Sequence, residues 1–342
     1  MLLPNFDDLH ILVLGDVMID RYQYGKVTRI SPEAPIPVVE LQQAEDRLGG
    51  AANVALNLLA LGAHVSIISL SGNDDESNNL EVLYNRYPQI DYRLIKDPTR
   101  KTTVKTRILA QNQHLLRIDH ESTHDVSEAV GNNIIEVLTN QIKTAKVDAI
   151  ILQDYNKGFL TAPLISEIIT MSNAKDIPTF VDPKIKNFFA YKGCTVIKPN
   201  KKEIIEACSS IAGNIKSNNL PEIQALEKAM RHELNNTVSF VTLGSEGIYT
   251  ATSTDNGLYT TSPRNIADVC GAGDTVLSIL TLCYLKKMPL SIIAQICNAG
   301  GGQVCEKPGV VQIDRKSLAK EILKSNNFKK KGLKIELFEK IL

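Results

Sequence analysis

The residues whose types and order point most directly to chemistry are Asp268-Val269-Cys270-Gly271-Ala272-Gly273-Asp274-Thr275. A Gly-Ala-Gly turn runs straight into the apolar stretch Val276 to Leu285, which predicts a helix starting at the turn. The first N–H groups of a helix have no intrahelical partner, and the helix dipole adds positive potential there, so such a turn can cradle a phosphate. A carboxylate set into that anion nest, Asp274, suits a base beside a phosphoryl group in transfer. The simplest chemistry is phosphoryl transfer from a nucleotide to a hydroxyl. The competing reading is a glycine turn whose Asp merely caps the helix, and the octapeptide alone leaves both open.

The elements that must position this turn are legible along the chain. His10 to Leu14 is an apolar run ending in Gly15-Asp16, which predicts a buried strand with a carboxylate at its C-terminal end. Gly49-Gly50 opens the Ala- and Leu-rich Ala51 to Leu61, closed by Gly62, as a helix with a glycine stop. His64 to Leu70, Val147 to Leu152, Thr179 to Val181, Thr195 to Ile197 and Ser239 to Leu243 are further short strands. Helical segments such as Val126 to Lys143 and Pro221 to Leu234 lie between them. Such alternation implies an α/β fold with a mostly parallel sheet covered on both faces, and ligands bound at the C-terminal strand ends. Asp16, Asp154, Asp182, Asn200 and Gly244 would gather there.

Two regions break the alternation. Residues 22–42, with Pro32, Pro35 and Pro37, and residues 92–119, rich in Thr, Val, Ile and Arg, predict a small β-flap. An exposed flap edge needs cover, and a second copy of the chain would supply it, so a homodimer through the flap is expected. Residues 326–342 combine a lysine run with apolar residues, as an appended element or a frayed end. No internal repeat or low-complexity linker divides the chain, and a single domain over 1–342 is expected.

Composition bounds the function classes. The 342 residues carry Lys+Arg 38 against Asp+Glu 38, so nothing marks a general nucleic-acid binder. The six cysteines form no C-x-x-C pair, and the six histidines show no metal spacing. The N-terminus lacks a basic segment followed by a long apolar run, and no apolar stretch approaches the ~20 residues of a membrane span. A cytoplasmic protein is the expectation.

Four motifs, taken in order, carry a resemblance: Gly49-Gly50-Ala51-Ala52-Asn53, Asn200-Lys201-Lys202-Glu203, Thr242-Leu243-Gly244-Ser245-Glu246-Gly247 and Gly271-Ala272-Gly273-Asp274. Together they resemble the ribokinase-like sugar kinases over nearly the whole chain. This implies a three-layer α/β/α sandwich with a small β-lid. Gly15-Asp16-Val17-Met18-Ile19-Asp20-Arg21-Tyr22, the run Arg29 to Val38, the run Asn112 to Asp119, and Asp182-Pro183-Lys184 further resemble the kinase domain of the heptose-7-phosphate kinases of lipopolysaccharide precursor synthesis. The implied reaction is ATP plus D-glycero-β-D-manno-heptose 7-phosphate giving the 1,7-bisphosphate and ADP. Another sugar or sugar phosphate as acceptor, or a catalytically weak sugar-phosphate-binding regulator, are the alternatives. Some heptose kinases are fused to a nucleotidyltransferase. No His-x-Gly-His signature is present here, and a kinase domain without that partner is expected.

The chain departs from the family pattern at Cys270, where Thr is usual, at Lys198 before Pro199-Asn200, at Leu243 in place of Arg, and around Gly300-Gly301-Gly302 and Lys307-Pro308-Gly309. A thiol is a weaker donor than a hydroxyl, so a turn held less firmly is expected at Cys270.

With the resemblance in hand, roles can be assigned. Asp274 would be the general base, with the N–H groups of Gly271, Ala272 and Gly273 stabilising charge on the transferred phosphoryl. Asp16 and Asp20 would accept hydrogen bonds from sugar hydroxyls, with Gly49, Gly50 and Asn53 beside the sugar. Lys105, Arg107, Arg117 and Lys184 would bind the 7-phosphate, solvated charges being the competing reading for each. Asn200 and Glu203 would organise Mg²⁺, Glu203 through water, unless they are a plain i,i+3 helix pair. Thr242 and Gly244 would line the nucleotide phosphates and ribose, and Asn298 the adenine. The absence of a Walker A motif argues against P-loop nucleotide binding.

Overall fold

The computed structural model describes residues 3–110, 113–213 and 219–324. The chain begins with β1 (His10–Gly15), β2 (Val17–Ile30), β3 (Pro37–Gly50), α1 (Ala51–Leu61) and β4 (His64–Ser71). It continues through α2 (Asp75–Tyr84), β5 (Ile90–Lys96), β6 (Val104–Ala110), β7 (Gln113–His120) and α3 (Glu128–Thr144). Then come β8 (Ala149–Gln153), α4 (Ala162–Asn173), β9 (Thr179–Asp182), β10 (Val196–Ile197), α5 (Lys201–Cys208) and α6 (Leu220–Leu234). The last described elements are β11 (Val238–Thr242), β12 (Ile248–Ala251), β13 (Asn256–Tyr259), α7 (Ala272–Leu285), α8 (Leu290–Cys305) and α9 (Arg315–Lys324).

Nine strands form the main sheet in the order β13-β12-β11-β10-β9-β8-β1-β4-β5. All neighbours from β11 to β5 are parallel, and β12 and β13 are added antiparallel at one edge. Alternate side chains of a strand face opposite ways, and the two faces fill two cores. Ile11, Val13, Ile67, Ile151 and Phe240 pack with α1, α2, α7, α8 and α9. Leu12, Leu14, Ile68, Leu152 and Val241 pack with α3, α4, α5 and α6. Near-continuous apolar strands are what a sheet buried on both faces requires, and the result is the expected α/β/α sandwich.

A second sheet, β3-β2-β6-β7, forms the lid. It differs from the sequence expectation at its borders. The β2–β3 hairpin runs over 17–50 rather than 22–42, because the register from Val17↔Gly50 to Ile30↔Pro37 continues into the body of the protein. Residues 92–96 belong to β5, which pairs with β4 at the far edge of the main sheet, so the second lid segment begins at Val104. The β-rich composition over 92–119 does not distinguish the two sheets; strand pairing does. The tail over 326–342, and Asn112 in the heptose-kinase-like run, lie outside the described residues.

Candidate active site

Gly271 caps α7 with φ 79°, a left-handed conformation that favours glycine. A Cβ at this position would stand 2.9 Å from the Asn53 amide. The turn before it is braced by Asp268, whose carboxylate accepts from the backbone N–H of Cys270 (3.0 Å) and of Gly309 (3.0 Å). Residue 270 is thus secured through its backbone, whatever its side chain. The first α7 bond runs from the Thr275 N–H to the Gly271 carbonyl (3.0 Å). The Gly273 N–H precedes that bond, among the first N–H groups of the helix, which have no intrahelical partner. The Ala272 N–H is turned back toward the Val269 carbonyl at 3.3 Å, a correction to the expectation that all three amides face the phosphate.

Asp274 is the third residue of α7 and 4% exposed. Its carboxylate accepts from Asn53 Nδ2 (2.8 Å), the Tyr155 hydroxyl (2.7 Å) and Gln153 Nε2 (3.3 Å). Burial pushes its carboxyl up from an ordinary 3.8 to about 6, against the opposing bonds from Asn53 and Tyr155 and with the Asp182 charge adding to the rise. A carboxyl so tuned holds a proton well yet is ionised near neutral pH, as a general base requires.

Asp274 and the glycine turn border a cavity of about 1030 Å³. Thr242 and Gly244 line it from the end of β11, and Asn298 lines it from α8 while donating to the Tyr259 carbonyl (2.7 Å). At its inner end Lys198 Nζ stands 3.0 Å from Asp182, which also accepts from Gln153 (3.1 Å).

Asn200 lines the cavity, but its side chain caps α5. Asn200 Oδ1 accepts from the Glu203 N–H (2.9 Å), and Glu203 Oε2 accepts from the Asn200 N–H (2.8 Å). The other Glu203 oxygen takes Lys184. Glu203 is therefore a satisfied capping-box residue outside the cavity lining, a correction to its expected place beside Mg²⁺. Burial pulls the Lys184 ammonium down, but Asp182 and Glu203 outweigh it and hold the group above its ordinary value. Among the described residues no group of three or more His, Cys, Asp or Glu converges on a point that could hold a metal ion. Asp182 and Asn200 line the cavity with oxygen donors, the ligand type that suits Mg²⁺.

On the lid side, Asp16 has backbone partners that the sequence does not announce. Its carboxylate accepts three backbone N–H groups, from Tyr155 (2.9 Å), Lys157 (3.1 Å) and Phe159 (3.2 Å). It anchors the β8–α4 loop with three of its roughly four acceptor sites, Oδ2 taking two N–H groups and Oδ1 one. Asp20 lies within β2 and pairs with Arg107 of β6, both largely buried. Burial raises the Asp20 carboxyl, and Arg107 opposes the rise. Arg107, expected at a phosphate, is committed to this carboxylate and to the face of Tyr22, 5.3 Å from its ring. Gly49 is glycine because a Cβ would run into the Asp20 carboxylate, and Gly50 bends with φ 62° into α1.

The cations expected at one phosphate are split. Lys184 lines the cavity beside Asp274. Lys105 lies on the lid and contacts Asp119 (2.9 Å) and Glu121 (3.1 Å). Arg117, 57% exposed, pairs with Asp119 at 2.8 Å. Sequence reasoning missed Gln153, Tyr155, Lys157 and Lys198. Three of them follow the apolar run Val147 to Leu152 within five residues, and a buried parallel strand delivers the residues just past its end to the site. Lys198 stands directly before Pro199-Asn200, at the corresponding end of β10.

A family model described as pfkB family carbohydrate kinase matches residues 8–316. The bifunctional protein HldE of Marinomonas sp. (strain MWYL1) is 37% identical over 322 residues, covering 92% of this chain and 64% of that protein. HldE of Aliarcobacter butzleri is 39% identical over 301 residues, covering 88% and 61%. The chain thus spans less than two thirds of the length of these relatives. In fold it is similar to phosphofructokinase-2 from Escherichia coli in complex with potassium, with TM-score 0.75 and 16% identity, covering 91% of this chain and 97% of that one.

Proposed function

The chain belongs to the pfkB family of carbohydrate kinases, and from that premise we propose that it transfers the γ-phosphoryl group of ATP to the anomeric hydroxyl of D-glycero-β-D-manno-heptose 7-phosphate. The products are the 1,7-bisphosphate and ADP. The observation that carries the reading is Asp274, a buried carboxyl raised to about 6, held by neutral donors at a glycine turn that opens on a nucleotide-sized cavity. Asp274 takes the proton of the attacking hydroxyl, and its own acceptor bonds from Asn53 and Tyr155 keep the carboxylate aimed. The Gly273 N–H and the N-terminal dipole of α7 stabilise charge on the phosphoryl oxygens. Asp182 and Asn200 on the cavity wall are the residues that would hold Mg²⁺, which would supply positive charge against the phosphates when bound with the nucleotide. The choice of sugar rests on the motifs over 15–38 and 112–119.

A homodimer through the lid is part of this reading. All eight residues of β7 are exposed, and Ile30, Leu41, Leu116 and Ile118 are each half-exposed or more on the lid strands. An uncovered apolar patch on a sheet with free edges favours a partner. Among the described residues no helix is long and apolar enough to cross a membrane, and the proposed place of action is the cytoplasm.

The test is ADP release with Mg-ATP against D-glycero-β-D-manno-heptose 7-phosphate, fructose 6-phosphate and ribose. Turnover dependent on the heptose phosphate is expected. Turnover on another sugar discards the substrate and keeps the mechanism, and nucleotide binding without turnover on any of them favours a binding protein.

A further inference from the structure

We infer that Lys105 and Lys157 form an anion subsite for the phosphate already carried by the acceptor, with Glu121 as the resident counter-charge that this phosphate displaces. The inference rests on the reading of the acceptor as a sugar phosphate. The two lysines come from different parts of the fold, Lys105 from β6 of the lid and Lys157 from the β8–α4 loop of the body, and converge on one carboxylate. Lys105 Nζ lies 3.1 Å from Glu121 Oε2, and Lys157 Nζ lies 2.6 Å from Glu121 Oε1. Their side chains are 12% and 14% exposed, and that of Glu121 is 19% exposed.

Two ammonium groups withdrawn from water need a counter-charge. Glu121 supplies one negative charge through two oxygens, the part a phosphate would play with a dianion and three oxygens. The cluster is also short of negative charge. Lys105, Lys157 and Arg117 face Asp119 and Glu121, three cations against two carboxylates. Compact ammonium groups on flexible stems bind phosphate as point charges and do not need a fixed fork.

The position relative to the chemistry fits. In one loop, the Tyr155 hydroxyl bonds the Asp274 carboxylate while Lys157, two residues on, reaches the lid. The Cα atoms of Tyr155 and Lys157 are at most about 7 Å apart, so one short loop carries both a partner of the base and the lysine. Asp16 fixes the loop through the Tyr155, Lys157 and Phe159 amides, so the distance between base and lysine is set by the body of the protein. On the lid, Lys105 is the register partner of Asp20. A phosphate held by both lysines ties lid to body over the sugar, and an acceptor without one leaves Glu121 in place.

The experiment measures inorganic phosphate binding by titration calorimetry, with the nucleotide site filled by ADP, and acceptor KM where turnover is found. Lys157→Met should weaken phosphate binding at least tenfold, and Glu121→Gln should strengthen it several-fold, because it removes the competitor. Lys157→Met should also raise the acceptor KM about as much and leave the ATP KM unchanged. Lys105→Gln serves the same arm should Lys157→Met fail to fold. Opposite signs for the lysine and glutamate variants support the subsite even if the heptose phosphate is not turned over, in which case only the sugar reading falls. Phosphate binding unaffected by both variants, with both lowering the unfolding midpoint alike, makes the cluster a mere lid fastening and overturns the inference. An acceptor KM unchanged in Lys157→Met does the same while leaving the kinase reading intact.

Discussion

At the N-terminus of α7 one carboxylate, Asp274, is buried among neutral donors, whereas on the lid side Asp119 and Glu121 each sit against cations. Both regions withdraw charge from water, but with opposite results. At Asp274 desolvation is only partly compensated, so the carboxyl rises to about 6 and gains affinity for a proton. On the lid the ion pairs carry the compensation. Burial is the largest influence on the Asp119 and Glu121 carboxyls and raises them, yet their partners Arg117, Lys105 and Lys157 bring both below the ordinary range. A proton-transfer site needs the first arrangement, and a sheet fastened by ion pairs is served by the second.

The contrast can be broken most forcefully at the base. Asp274→Asn should keep the fold and lose about a thousandfold or more in kcat, read as ADP release beside an unchanged circular dichroism spectrum. Near-normal turnover would leave Asp274 a helix cap. On the lid, Arg107→Met strands the buried Asp20 charge and should destabilise the protein by about 3–5 kcal/mol, measured by urea unfolding. A change under about 1 kcal/mol would mean that the lid pair is no more than a surface contact.

The pH dependence sharpens the comparison. The folded protein holds the Asp274 proton more tightly than the unfolded chain, so this group's contribution to stability is full below about 4 and is lost as pH rises through about 6. Activity runs the other way. The base must be ionised, so kcat/KM should fall about tenfold per unit below pH 6. Tyr155→Phe removes a bond that favours the ionised form and should move that acid limb upward while leaving the rate at high pH largely intact. An unmoved limb would show that the limb belongs to another group. The smallest effect is expected at Lys186, whose pair with Asp125 is nearly half exposed on both sides. Lys186→Ala should change stability by under about 0.5 kcal/mol, and a larger loss would show that burial does not set the worth of these pairs.

Much of this architecture is written locally. The apolar runs of β1, β8 and β11, the glycine stop at Gly62 and the turn at Gly271 each announce themselves within a few residues, because strand period, helix period and left-handed backbone are properties of short segments. Asp274 was legible for the same reason: its turn and its helix are contiguous. Gln153 and Tyr155 were harder to find, since nothing local marks a Gln or Tyr after a strand as a partner of a carboxylate 119 or 121 residues away.

Tertiary structure alone decided three things. It assigned residues 92–96 to the main sheet and not to the lid, through pairing with β4. It gave Asp16 an anchoring role, because the amides its carboxylate accepts come from a segment 139 to 143 residues further on. And it separated Lys184 from Lys105 while joining Lys105 to Lys157. Charge in a sequence is only a count; its partner, its distance and its exposure to water come from the fold, and those three set what the charge can do.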